Sequence, residues 1–209
     1  MSTNEELLGR ADVNDLEAIL SISNTDVNEL VHHVKDNADC IFTWDYEKGR
    51  RPALNKLYEK AKTSQWNAST DLDWSTDVDP EKIGQELGGG GATRFQALAD
   101  AENSPVKHFG DKEWRQISVE IQNSLLSQFM HGEQGALLCT ARIVETVPWI
   151  DAKYYAATQV MDEARHVEVF ARYLNEKLGS QYGINPNLKG ILDEILGDCL
   201  LYTSDAADE

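Results

Sequence analysis

The sequence predicts an all-α protein built around one long helical hairpin, on three observations. Apolar residues recur at helical spacing over most of the 209 residues, whereas the alternation of a half-buried strand is scarce. Two long stripes meet at a breaker, Pro148-Trp149, which cannot continue a helix. Gly179 then closes the second stripe in the manner of a helix-terminating glycine.

Taken in order, residues 12–22 place Val13, Leu16, Ile19 and Leu20 on one helical face. Asp26-Val-Asn-Glu29 reads as a capping box leading into Leu30, Val31 and Val34. A longer segment runs from Asn37 to Ser64 through Ile41, Trp44, Leu54, Leu57, Tyr58 and Ala61, interrupted near Gly49 and Pro52. Residues 1–64 thus form an N-terminal helical extension. The texture changes at QWNASTDLDWSTDVDP, rich in Asp, Ser and Thr, and the run Gly88–Gly91 follows, so 65–112 is a loop-rich connector. Without a Lys-Ser/Thr behind it, the glycine run is a turn and not a phosphate loop. From Glu113 a first long helix carries Trp114, Ile117, Ile121, Leu125, Phe129, Ala136, Thr140 and Val144. A second, from about Ile150 to Leu178, carries Tyr155, Ala156, Gln159, Val167, Phe170 and Leu174. Asn185 to Leu196 starts another helix with Leu188, Ile191, Leu192 and Ile195.

Composition narrows the function. The formal net charge of −17 disfavours nucleic acid and anionic membranes as partners. No run approaches the roughly 18 apolar residues of a membrane span. The first ten residues lack the basic-then-apolar order of a secretory signal. Cys40, Cys139 and Cys199 lie far apart in no ligand spacing, so reduced thiols and a cytoplasmic location are expected.

The chemistry concentrates at Glu163-Ala-Arg-His166. A carboxylate and an imidazole three positions apart share one helix face and can reach one metal ion. With 5 histidines in the chain, about 0.4 such matches arise by chance, so the motif alone is weak. Indeed Glu29-Leu-Val-His32 also matches, but Glu29 already has a role in the capping box. Glu133 lifts the first match above chance. Pro148 lies midway between Glu133 and Glu163, so in an antiparallel hairpin both sit at the same depth, roughly 22 Å from the turn. Both interrupt stripes that are otherwise apolar, among Phe129, Met130, Ala136 and Leu137 on one side and Val160, Val167 and Phe170 on the other. Two buried carboxylates need compensation, and carboxylate with neutral imidazole suits iron or manganese. The competing reading turns both glutamates outward to pair with Arg142, Lys153 or Arg165. Asp162 and Arg165 flank the motif, where they either orient the ligands or form an ordinary exposed pair. His131 lies on another face, Cys139 packs as a small hydrophobe, and Asp45, Asp71, Asp73, Asp77 and Asp79 read as turn and cap residues.

Glu133, then Asp162-Glu163-Ala-Arg-His166 thirty residues on, resembles the ferritin-like di-iron carboxylate oxygenases. These include ribonucleotide reductase small subunits, monooxygenase hydroxylases, epoxidases and N-oxygenases. QWNASTDLDWS also resembles the linker before the bundle in bacterial oxygenases of this type, and the likeness covers residues 40–198. It implies a ferritin-like four-helix bundle and two iron ions, or a manganese-iron pair, with Glu133 terminal, Glu163 bridging and His166 terminal. Asp162 and Arg165 would stand behind them. It further implies dioxygen, a small organic substrate and an electron-donor protein as partners.

The pattern then departs from the family. A second Glu and a second Glu-x-x-His would complete the set, yet no histidine follows His166. Residues 113–198 therefore read as the first half of the bundle, with one complete helix pair and three of six protein ligands. The ending CLLYTSDAADE looks like a translated sequencing adapter, so 199–209 is expected to be non-native. The chain reads as a fragment of a longer oxygenase, itself inactive. An iron-handling or manganese-iron oxidase of the same fold and a non-enzymatic helical interaction module are the alternatives. The uncovered apolar face of such a helix pair is expected to drive self-association, with a homodimer as one form.

Overall fold

The computed structural model describes residues 34, 39–47, 49–83, 99, 101–104 and 106–197. The two helices expected before residue 34, the second Glu-x-x-His match, the run Gly88–Gly91 and the tail 199–209 lie outside them. Apart from Val34, the described residues belong to one compact unit, and among them every regular element is helical. α1 spans Pro52–Thr63, α2 Asp111–Thr146, α3 Ile150–Tyr173 and α4 Pro186–Gly197; a π-helical turn, Leu174–Leu178, extends α3.

α1 begins later than the Asn37–Ser64 periodicity suggests. Pro52 occupies the first helical turn, where its missing N–H costs nothing, and it bars helix from the residue before it. Gly49 adopts φ 108°, a conformation that suits glycine. Upstream, residues 39–47 are not helical, and the Ile41 amide donates to the Glu145 carbonyl at the far end of α2. α1 packs against α3, with Tyr58 stacked on Tyr154 at 5.3 Å between centroids. Arg51 lies over the Trp149 ring and pairs with the buried Asp151, pinning the start of α3.

α2 starts where Glu113 accepts a hydrogen bond from the Gly110 amide. Asp111 and Glu113 place negative charge at its positive end. Its 36 residues span about 54 Å. It ends at Val147, ahead of Pro148, and the chain turns directly into α3. The two form the expected hairpin and share the principal contact of the molecule. Beyond the π-helical turn, Gly179 reverses the chain at φ 69°. The segment that follows is laced to α2: the Tyr182 amide donates to Ser127, Tyr182 Oη to Glu120, and Asn185 to Gln128. α4 then crosses the back of α2 at Gly135, where any Cβ would overlap the Leu192 side chain.

The stripe of α2 is not interior along its whole length. Ser118, Gln122, Asn123 and Ser127 are buried, while Leu125, Phe129 and Leu138 are about half exposed. Periodicity marked a face but not what covers it. α3 packs on one flank of α2 and α4 on another, leaving part of the apolar stripe to solvent.

Candidate metal centre

Glu133 lies midway along α2, and Glu163 and His166 lie one turn apart on α3. The hairpin brings them together: one ligand atom from each lies within 4.8 Å of the others. His166 Nδ1 is 3.1 Å from Glu163 Oε2 and 3.3 Å from Glu133 Oε2. A single ring nitrogen thus faces two carboxylates. A cation placed between the three would contact all of them. Burial raises the proton affinity of Glu163 above the usual carboxylate range, and its hydrogen bond with Glu133 adds to this, opposed by His166. Two clustered carboxylates with one imidazole between them are an under-compensated negative site, and carboxylate with imidazole is a donor set that suits iron or manganese.

The cations that might have neutralised these glutamates are engaged elsewhere. Arg142 donates to the Leu196 carbonyl, and Lys153 to the carbonyls of Val144 and Glu145. Arg165, buried at 4% exposure, pairs with Asp162 and donates to Gln65 Oε1 at 2.7 Å and to the Trp66 carbonyl at 2.9 Å. Its guanidinium also lies over the Trp66 ring. Two residues from Glu163 along a helix, it points away from the ligand face. Among the described residues neither Asp162 nor Arg165 is hydrogen-bonded to Glu133, Glu163 or His166.

Arg165 is instead half of a clamp on the connector. Two turns further along α3, Arg172 covers the Trp74 ring, and Lys177 donates to the carbonyls of Trp74 and Thr76. The two tryptophans of QWNASTDLDWS are thereby held on the side of α3 remote from the glutamates. Nothing in their spacing announced this, because their partners lie about a hundred positions away. The connector's acids serve its own turns: Asp71 accepts from the Asn67 amide, Asp73 from Ser75, and Asp79 from the Glu81 amide. His131 hydrogen-bonds the Tyr182 carbonyl and takes no part in the centre. Cys139 is half-buried, and burial pushes its thiol above the usual range. A cleft of about 310 Å³ lined by Tyr58, Lys62, Gln65, Tyr154, Thr158 and Met161 also lies on the clamp side of α3, so it does not open on the three donors.

No family model, curated protein or solved structure matches this chain. No helix among the described residues is long and apolar enough to cross a membrane. What the fold and the donor cluster define, among the described residues, is a helical hairpin carrying one three-residue candidate metal centre.

Proposed function

We propose that this chain binds a redox-active divalent metal through Glu133, Glu163 and His166. In this reading it is the metal-holding helix pair of a non-haem di-iron oxidoreductase that uses dioxygen to oxidise a small organic substrate. The observation that carries the reading is the convergence of two carboxylates and an imidazole from facing helices, with no ion pair from a described Lys or Arg to either carboxylate. Bound iron would supply the oxygen chemistry. The chain's own part is to fix the donors. Glu163 is the least exposed of the three and is oriented by His166 through Nδ1; Glu133 reaches the same point from the opposite helix. Glu163, whose proton affinity burial raises, must be ionised to ligate, so metal uptake is expected to be favoured as pH rises.

The test is anaerobic titration of the whole chain with Fe(II) and with Mn(II), followed by metal analysis after dialysis. Wild type is expected to retain metal, and Glu133→Ala and His166→Ala to lose at least about tenfold in affinity. Equal metal content in all three would overturn the reading and leave a helical interaction module. Oxygen consumption by a metal-loaded protein then separates an oxidoreductase from a protein that only holds iron.

A further inference from the structure

The three donors do not face a closed interior. Phe129 and Leu125 lie four and eight residues before Glu133, one and two turns along the same side of α2, and are 51% and 53% exposed. Ala136 continues that side in the other direction. On α3 the most open ligand is His166, whose side chain is 43% exposed. The donor cluster therefore opens onto an uncovered, largely apolar face of the hairpin, the kind of patch that marks an interaction surface.

Three protein donors fill half the coordination sphere of an octahedral metal ion. Resting on the metal-binding reading above, we propose that a second copy of this chain covers this face by two-fold, antiparallel docking. Its own Glu133, Glu163 and His166 then complete a cage of four carboxylates and two imidazoles around two divalent ions. Three arguments select a second copy. A two-fold axis at the depth of the donors sets the same patch on itself, so each half-set meets its equivalent without any further ligand. The register allows it: α2 continues 22 residues before Glu133 and 13 after, and α3 13 before Glu163 and 10 after. An antiparallel partner centred there overlaps about 40 Å of α2 and about 30 Å of α3; at about 10 Å width per helix that is about 700 Å² per copy, within the range of a standard specific interface. Finally, charge balances. Four carboxylates brought together repel, and two divalent ions cancel their four charges, so docking and metal uptake are one linked equilibrium.

Sedimentation velocity on the whole chain, with metal analysis of each species, tests this. In chelator the chain is expected to be monomeric; with Mn(II), or with Fe(II) under anaerobic conditions, it becomes a dimer holding two ions. His166→Ala stays monomeric with metal. Leu125→Glu, a change on the half-exposed apolar face outside the ligand set, stays monomeric and binds metal about tenfold more weakly, with helical circular dichroism unchanged. A metal-loaded wild type that remains monomeric at the highest concentration reached overturns the proposal while leaving metal binding intact. So does a dimer that forms equally well in chelator. Failure of wild type to bind either metal is a different result: it removes the metal-binding reading, and this proposal with it.

Discussion

The two sides of α3 use their charged residues differently. On the connector side, Arg165 is buried with Asp162, Gln65 and Trp66 around it, Arg172 lies over Trp74, and Lys177 caps two carbonyls. Each cation there has oxygen or aromatic partners that oppose its desolvation. On the α2 side, Glu133 and Glu163 share one imidazole, and burial pushes Glu163 toward its protonated form. Charges matched by their surroundings hold a fold together. Charges left under-compensated at matched depth on two helices mark a candidate functional site.

The largest expected effect breaks the matched side. Arg165→Leu removes a buried cation and strands Asp162, the Gln65 amide oxygen and the Trp66 carbonyl. It should lower stability by about 3 kcal/mol in urea unfolding and release 65–77 to limited proteolysis. Metal bound per folded chain should be unchanged, because Arg165 makes no contact with the donors. A loss of metal affinity with stability intact would reverse the assignment and make Arg165 a positioning residue.

An intermediate effect, of opposite sign, belongs to the other side. Glu163→Gln removes a carboxylate whose ionisation burial disfavours, so the metal-free chain should unfold at a higher temperature than wild type. The same change should weaken metal binding at least about tenfold. A single substitution that stabilises the empty chain and disables the loaded one separates the two sides sharply. A lowered unfolding temperature in chelator would show that Glu163 is instead a satisfied structural residue.

The smallest effect is a pH dependence of the connector. Hydrogen bonds from Ser75 to Asp73, and from Asn67 and Thr70 to Asp71, hold both carboxyls below their ordinary values. A depressed folded-state pKa contributes stability above the ordinary carboxylate range that is lost as pH falls through the folded value. Amide protection factors in 67–76, corrected for the intrinsic pH dependence of exchange, should therefore fall on acidification below that range, with α2 and α3 still protected. Asp73→Asn should bring the lower protection to neutral pH. Protection that is flat with pH would mean that Arg172, Lys177 and the tryptophans carry the connector alone.

These contrasts explain what could be read from the sequence. The hairpin and its donors were legible because helical period and one breaker at Pro148 are local signals, and Glu133 and Glu163 stand equidistant from it. The interruption near Gly49 and Pro52 was legible and α1 begins at Pro52, but the apolar period alone did not show that residues 39–47 before it are not helical. Exposure of Leu125 and Phe129 was not legible on α2, since a stripe shows which residues share a face and not whether anything packs there. The setting of Arg165 was out of reach for a stronger reason. Its partners, Gln65 and Trp66, are about a hundred residues distant, and only the folded chain places them together.

Gly135 gives α4 a reach beyond its own packing. It lies two residues after Glu133 and on nearly the opposite side of α2, so the helix that presents a ligand at the front is seated from behind. Because Leu192 occupies the space of the missing side chain, a methyl group there must displace the Leu192 side chain that seats α4. Gly135→Ala therefore disturbs the seat of α4 on α2 without touching Glu133, Glu163 or His166, the three residues of the candidate metal centre.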